Sequence, residues 1–298
     1  MRATPLNAVG EEAADPHRKR EEIADRHQPA ETDTIVLIHG LWVTRLIWER
    51  WTRRYRARGY RVLAPAWPGT GQAGASGRRP DPASCDRGVP EIANEYDHLI
   101  RKLQNPPVII GHCVGGLITQ ILLERGLGAA GVAIAPAPAR GAGAVPLLMR
   151  GAGLAALRHP RRRPETIALT PRQFHRGFAG TLSREESALA YERHCIPSPT
   201  RIVRQVGFAN CAPRGDASTG SGLPRRVPLL LIASGKDHLF PPSITKSNLR
   251  RYARSGGTTA YRQFPEHSHY IIGEPGWEQV ADYVLRWAME SSLAIPRG

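Results

Sequence analysis

Lysine is scarce in this sequence, although the chain carries a large excess of positive charge. Lysine and arginine together number 41 against 26 aspartates and glutamates, a formal net charge of +15, but only four of the basic residues are lysines. A charge built from scattered arginines is typical of a GC-rich genome, and no nucleic-acid-binding motif accompanies it. The densest arginine cluster, at residues 158–163, is predicted to be a solvated loop, with a site for an acidic ligand or surface as the alternative. We therefore predict no nucleic-acid partner.

Paired cysteines and long apolar runs are missing as well. The four cysteines, Cys85, Cys113, Cys195 and Cys211, show no C-x-x-C pair and no other spacing that holds a metal. We therefore predict reduced thiols, a cytoplasmic location, no metal and no cofactor. No segment has the pattern of a signal peptide or the length of a membrane span. Residues 1–31 are rich in charge and poor in large apolar groups, which predicts a disordered tail or a frayed helix.

From Thr34 onward, short apolar runs alternate with segments of helical spacing. The predicted strands are residues 34–38, 60–64, 107–110, 131–135, 227–233 and 258–264, and the predicted helices are residues 46–58, 90–104, 117–126, 244–254 and 277–289. Short connections between alternating strands and helices favour a mainly parallel sheet with helices on both faces. The predicted class is therefore α/β.

The alternation stops between residues 136 and 226. This segment shows no clear strand, but it contains helix-like pieces at residues 171–182 and 184–194. We interpret it as a helical cap inserted into an α/β core, which consists of residues 32–135 and 227–298. Apolar cap residues such as Phe174 and Phe178 suit a greasy acyl group of middle size, although packing of the cap on the core is the alternative.

The most informative motif is Gly111-His112-Cys113-Val114-Gly115, which follows the apolar strand at residues 107–110. Its spacing is that of a nucleophile elbow, G-x-Nuc-x-G, in which small flanking residues permit a strained turn between a strand and a helix. Cysteine stands where serine is usual. A buried hydrophobic role is the alternative for a lone cysteine, but the flanking glycines favour a nucleophile. We expect its thiol to be exposed.

Two further residues follow strand ends in the order that such a site requires. Asp237 comes just after the strand at residues 227–233, and His269 comes after the last strand. The carboxyl ends of parallel strands meet at one edge of the sheet, so we expect both side chains near Cys113. Glu266 and Asp282 are alternatives for the acid, but Glu266 precedes the histidine too closely to share its site and Asp282 lies in the last predicted helix, so we favour Asp237. His267 competes with His269 as the base.

These motifs resemble those of the α/β-hydrolase fold superfamily over residues 34–289. The matching pieces are Ile38-His39-Gly40-Leu41-Trp42, the elbow with Gly116, the Gly235/Asp237 turn, and His269 ahead of Gly273-Glu274-Pro275. The resemblance is greatest to actinobacterial hydrolases of unassigned substrate, which usually carry serine at the elbow. It implies an α/β-hydrolase fold and a Cys113–His269–Asp237 triad.

The same resemblance implies an oxyanion hole. The backbone N–H of Val114 would supply one donor and that of Leu41 or Trp42 the other, while His39 would shape the loop. The spacing from His269 to Glu274-Pro275 favours His269 over His267 as the base. Haloalkane dehalogenases and epoxide hydrolases place aspartate at the elbow, so Cys113 excludes them. Dienelactone hydrolases of this superfamily do use cysteine there.

We therefore predict a hydrolase that cleaves an ester, lactone or thioester through an acyl-cysteine intermediate. The alternatives are acyl transfer, cyclisation or a lyase step in a biosynthetic pathway, or a catalytically silent pocket that binds a ligand. The predicted partner is a small apolar acyl substrate, and a homo-oligomer stays open. The candidate substrate-binding residues are His112, His238, Trp67, Phe174 and Phe178.

Overall fold

A sheet of six parallel strands forms the centre of the protein. The computed structural model describes residues 32–67, 87–139, 166–207, 227–252 and 257–293. In chain order the strands of this sheet are β1 (Thr34–Ile38), β2 (Arg61–Leu63), β3 (Val108–His112), β4 (Ala130–Ile134), β7 (Leu229–Ser234) and β8 (Thr259–Phe264). Across the sheet the order is β2-β1-β3-β4-β7-β8, and every neighbouring pair is parallel. The predicted α/β class is confirmed.

The four central strands are apolar because helices cover both faces of the sheet. Every residue of β1, β3, β4 and β7 is buried, as expected for parallel strands enclosed on both sides. In the edge strand β8 no residue is fully buried, and Arg262 is exposed. Burial is thus complete in the central strands and lower at the edge of the sheet, which explains why the central strands appear in the sequence as continuous apolar runs.

Eight α-helices connect or flank the strands in the described residues. They are α1 (Glu49–Arg56, preceded by a 3-10 turn at Arg45–Trp48), α2 (Val89–Ile100), α3 (Val114–Glu124), α4 (Pro171–Gly177), α5 (Arg184–His194), α6 (Thr200–Gly207), α7 (Pro242–Tyr252) and α8 (Trp277–Leu293). Two aromatic side chains of α1 join the last part of the chain. Trp51 Nε1 donates to the carbonyl of Ile272 at 2.8 Å, and Tyr55 Oη donates to that of Ala281 at 2.8 Å. The segment that follows β8 is thereby anchored to the core.

The interrupting segment contains helices α4 to α6, but the expectation that it holds no strand is wrong. Strands β5 (Thr166–Ile167) and β6 (Ser198–Pro199) pair antiparallel within it. Each strand is only two residues long, too short to leave a periodic pattern in the sequence. The predicted helix at residues 171–182 also ends early, at Gly177, whereas the helix at 184–194 has the predicted bounds.

Some predictions concern residues outside the described part of the chain. These are the tail at residues 1–31, the arginine cluster at 158–163, Cys85 and Cys211, and the cap residues 140–165 and 208–226. The described residues of the interrupting segment and of the sheet belong to one compact unit, Thr32–Gly298.

Candidate active site

Cys113 lies in a sharp turn between β3 and α3. Its backbone adopts φ +59° and ψ −122°, a strained region for a residue with a side chain. The two glycines of the motif, Gly111 and Gly115, allow neighbouring backbone segments to approach each other closely, as this turn requires. A Cβ on Gly111 would lie 2.0 Å from the carbonyl oxygen of Gly115, and one on Gly115 would lie 2.1 Å from that of Ile38. The motif therefore forms the sharp strand–turn–helix elbow that its spacing predicts.

Asp237 lies in the turn that follows β7, and its carboxylate is fully engaged. Oδ1 accepts hydrogen bonds from the backbone N–H groups of Leu239 at 2.8 Å and Phe240 at 2.7 Å. Oδ2 lies 2.7 Å from Nδ1 of His269. Because an ionised carboxylate only accepts hydrogen bonds, this contact assigns the Nδ1 proton to His269 and leaves Nε2 as its basic nitrogen.

His269 is fully buried and lies beside Cys113. Burial opposes its charged form, but the negative charge of Asp237 and then that of Cys113 outweigh burial and raise its pKa from 6.5 to about 10. Among the described residues, Nε2 has no hydrogen-bond partner of standard geometry. Cys113 is nevertheless close enough for its charge to raise the pKa of the ring. The arrangement offers an imidazole nitrogen that can take a proton from the thiol.

The competing acids and base are engaged elsewhere. Glu266 pairs with Lys236 at 2.6 Å and is exposed, while Asp282 bonds the guanidinium of Arg54 at 2.6 Å. His267 donates through Nδ1 to Glu274 at 2.8 Å.

Glu274 holds the loop on which His269 lies. Burial would raise the pKa of Glu274, but hydrogen bonds from His267, Ser268 and Thr181 lower it below its usual value. The ionised carboxylate therefore bonds the N–H and hydroxyl of Ser268, at 2.8 and 2.6 Å, directly before His269. His267 belongs to this supporting network and not to the Asp237 pair.

The expectation of an exposed thiol is wrong for this structure. Both Cys113 and His269 have 0% of their surface exposed. The ring of Phe178, from the segment inserted after β4, lies 4.7 Å from that of His269 and nearly perpendicular to it, and Phe240 lies 5.5 Å away. Apolar groups therefore cover the site and strengthen the electrostatic interactions inside it.

The loop after β1 lies directly against the thiol. A Cβ on Gly40 would lie 2.5 Å from Cβ of Cys113 and 3.0 Å from its Sγ. Of the two candidate donors in this loop, Trp42 already donates its N–H to Oγ of Ser198 at 2.6 Å. Leu41 N makes no hydrogen bond among the described residues, and Val114 N, at the first position of α3, has no partner within its helix. Leu41 and Val114 are thus the two available donors.

His39 and Trp67 support this loop. His39 Nε2 accepts from the backbone N–H of Trp67 at 3.1 Å, and its Nδ1 donates to the carbonyl of Gly40 at 3.1 Å. The two rings stack at 4.7 Å, and burial lowers the pKa of His39 to about 4. The sequence predicts that Trp67 binds substrate. In the structure it packs against His39 and so supports the loop after β1.

The other predicted substrate residues differ in their positions. His112 is buried and donates through Nε2 to the backbone carbonyl of His269 at 2.8 Å, while burial, together with the nearby His269, holds its pKa well below 6.5. Phe174 stacks on Phe178 at 4.9 Å, and both are fully buried. His238 is exposed. Of the five, Phe178 and His112 contact the ring of His269, each with ring centroids 4.7 Å away, and His112 also bonds that residue's backbone carbonyl.

Two contributors to the site were absent from the sequence analysis. Phe240 both bonds Asp237 and packs on His269, and its position three residues after the acid is the signal that would have found it. Ser198 lies 156 residues from Trp42 in the chain, so no local pattern connects them.

A groove of about 420 Å³ lies beside the site but does not include Cys113, Asp237 or His269. It runs between the start of α1, helix α5 and residues 270–278, and Tyr270 and His194 are among its lining residues. Among the described residues, no group of three or more His, Cys, Asp or Glu side chains is arranged to hold a metal ion. No helix in the described ranges has the length and apolar character to cross a membrane.

Comparisons with known proteins agree with this architecture. A family model described as "Alpha/beta hydrolase family" matches residues 35–283. No curated protein matches the chain. Among solved structures, a monoacylglycerol lipase from Paleococcus ferrophilus is 21% identical, with a TM-score of 0.60, and the match covers 87% of this chain and 94% of the lipase.

Two further solved structures are equally similar in fold. A methylesterase from Arabidopsis is 15% identical, with a TM-score of 0.60 and coverage of 85% of this chain and 98% of its own. A pyrethroid hydrolase from Sphingobium faniae is 17% identical, with a TM-score of 0.60 and coverage of 86% and 97%. At these identities the likeness establishes a shared fold.

Proposed function

The chain belongs to the alpha/beta hydrolase family, and from this premise we propose that it cleaves an ester, lactone or thioester through an acyl-cysteine intermediate on Cys113. The observation that carries the proposal is the buried pair formed by Asp237 and His269, whose Nδ1 and Oδ2 atoms are 2.7 Å apart. A base held by an acid beside a thiol on a nucleophile elbow is the arrangement that covalent acyl transfer requires.

The first half of the reaction begins from the pair in which Nε2 of His269, with its pKa of about 10, already holds the thiol proton, and Sγ of Cys113 attacks the acyl carbon as a thiolate. The carbonyl π electrons move to the oxygen, and the N–H groups of Leu41 and Val114 stabilise the resulting oxyanion. The intermediate then collapses, the bond to the leaving group breaks, and His269 gives its proton to that group. In the second half, His269 activates a water that attacks the thioester and releases the acid.

The raised pKa of His269 suits the first proton transfer. Asp237 stabilises the imidazolium that forms, as does the negative charge of Cys113. Because both oxygens of Asp237 already accept hydrogen bonds, the ring keeps one tautomer through the cycle.

The chemistry of the walls favours an uncharged, apolar acyl group. Phe178 and Phe240 flank His269, and burying a charged group against such walls without a partner is costly. The ester substrates named for the lipase, the methylesterase and the pyrethroid hydrolase are compatible with this class. No cofactor takes part in the proposed reaction. Neither Cys113 nor Cys195 forms a disulfide, which suits a reducing compartment, and we propose a cytoplasmic location.

Acyl transfer to an alcohol or amine is the second candidate, and one observation favours it. Cys113 and His269 are fully buried among apolar rings, which favours an apolar acceptor over water, and a thioester intermediate retains enough energy to acylate such an acceptor. A silent binding pocket is disfavoured because such a pocket has no use for an acid-held base.

The test compares hydrolysis of p-nitrophenyl butyrate and octanoate by the wild-type protein, Cys113→Ala and Cys195→Ser. Cys195 is the other cysteine in the described residues. We expect Cys113→Ala to lose at least about 10³-fold in kcat/KM, and Cys195→Ser to stay within about twofold. Hydrolysis that survives in Cys113→Ala would contradict the proposal. Adding butanol or butylamine separates the two candidates, because a transferase forms the butyl ester or amide in preference to the acid.

A further inference from the structure

We propose that Ser198, which the inserted segment contributes, is a positioning residue for the oxyanion hole. Its hydroxyl accepts the N–H of Trp42 and so leaves the neighbouring Leu41 N–H as the donor that this loop offers beside Cys113. This inference rests on the proposed function, since an oxyanion hole acts only if Cys113 attacks an acyl group.

Trp42 is held almost entirely by the inserted segment. Besides the 2.6 Å bond from its N–H to Ser198, its carbonyl accepts from the N–H of Ile196 at 2.9 Å, and its indole Nε1 donates to the carbonyl of Ile167 at 3.0 Å. Trp42 and Ser198 are 1% and 2% exposed. All three polar groups of this residue are thus bonded to residues that lie outside the α/β core.

The backbone of Trp42 explains why such support is needed. Its φ of +60° lies in the left-handed region, which side chains other than that of glycine rarely adopt and which persists only where the surroundings impose it. The Leu41–Trp42 peptide carries the N–H that Ser198 holds, so this bond fixes how that peptide is turned. The Leu41 N–H belongs to the preceding Gly40–Leu41 peptide, which shares the Leu41 Cα with the peptide that Ser198 holds. The Ser198 bond therefore restricts that donor through the Leu41 Cα, beside the place where Gly40 packs against Cys113.

The contact with Ser198 belongs to a longer pairing between the two segments. Val43 forms an antiparallel bridge with Cys195, and the N–H of Thr44 donates to the carbonyl of His194 at 3.0 Å. Residues 42–44 are therefore paired with residues 194–198, and the loop that supplies an oxyanion donor is shared between core and cap. Loss of the Ser198 hydroxyl leaves a buried N–H without a partner, which favours a turned peptide.

The experiment measures whether Ser198 acts on the transition state. The variants are Ser198→Ala, Ser198→Thr, which keeps a hydroxyl, and Ser187→Ala, which removes a hydroxyl from a buried cap serine on α5. The readouts are kcat and KM for p-nitrophenyl butyrate, the inhibition constant of an alkyl trifluoromethyl ketone, and the rate of Cys113 alkylation by iodoacetamide. The ketone forms a tetrahedral adduct that needs the oxyanion hole, whereas alkylation needs only the thiol.

We expect Ser198→Ala to lower kcat about 10- to 100-fold, with KM and the alkylation rate within about twofold of wild type. In Ser198→Ala the ketone should bind more weakly, by the same factor as the loss in kcat. Ser198→Thr should recover most of the lost kcat and of the lost ketone affinity. Ser187→Ala should match wild type in both. Unchanged kcat and ketone inhibition in Ser198→Ala would overturn the proposal. A joint loss of melting temperature, KM and alkylation rate would also overturn it, because that pattern reports a role in cap packing alone.

Failure of the proposed function has a different signature. If the wild-type protein neither hydrolyses the ester nor is inhibited by the ketone, both proposals fall. If the wild type is active and inhibited, and Ser198→Ala equals it, only the role of Ser198 is refuted.

Discussion

Replacing Gly40 with alanine should impair catalysis through a defined steric contact. The added Cβ would lie 2.5 Å from Cβ of Cys113, 3.0 Å from its Sγ and 3.0 Å from the carbonyl oxygen of His112. Ordinary contact begins at 3.4 Å, so loop and thiol must separate by about 0.9 Å, the difference between 3.4 and 2.5 Å. Misplacement of reacting groups by about 1 Å can cost about 100-fold in rate. We therefore expect kcat to fall about 30- to 300-fold.

The assay is steady-state hydrolysis of p-nitrophenyl butyrate, accompanied by a thermal melt. The matched control is Gly180→Ala, where the new Cβ would meet its nearest atom, the carbonyl oxygen of His175, at 3.5 Å. This control should keep kcat within about twofold and melt within a few degrees of wild type. A Gly40→Ala protein that melts like wild type and retains its full kcat would refute the contact between the loop and Cys113.

Further predictions concern the neighbours of the triad. Asp237→Asn should lower the pKa of His269, because the main cause of its elevation is lost, and reduce kcat by up to about 10⁴-fold; an NMR titration of the His269 ring checks the first effect. Asp282→Asn should leave kcat unchanged and cost at most about 1 kcal/mol of unfolding free energy, because its ion pair with Arg54 is partly exposed; normal kcat in Asp237→Asn and a loss in Asp282→Asn would reverse the assignment. His112→Phe should cost about 1–3 kcal/mol in urea unfolding, because the buried carbonyl of His269 loses its donor; equal stability of variant and wild type would argue against that bond. The stability that protonated His269 supplies should be complete below pH 6.5 and lost as pH rises to about 10; denaturant unfolding of wild type and His269→Gln should converge over that range, and a constant difference would contradict the raised pKa.

The sheet and several helices were predictable because local chemistry determines them. The central strands are continuous apolar runs, since helices bury both faces. Helix α5 begins at the predicted residue because Ser183 and Glu186 form a capping box, in which each side chain bonds the other's backbone N–H. The two-residue strands β5 and β6 depend on pairing with each other across the interrupting segment and leave no such signal.

The candidate triad was predictable from order and position, whereas its surroundings were not. Cys113, Asp237 and His269 follow three strands whose carboxyl ends share one edge of the sheet. The N–H of Trp42 is held by Ser198, a distant residue that no period or motif connects to the loop. The burial of the thiol likewise depends on how Phe178 packs over His269, which is a tertiary contact.

The central claim is that Cys113 becomes acylated, and intact-mass spectrometry tests it most directly. The protein is mixed with p-nitrophenyl octanoate, quenched in acid within milliseconds to seconds, and digested to locate the added mass. We predict one octanoyl group on Cys113 in wild type and in Cys195→Ser, and none in Cys113→Ala. An adduct on another residue, or turnover of the ester with no adduct on Cys113 at any time, would contradict an acyl-cysteine mechanism.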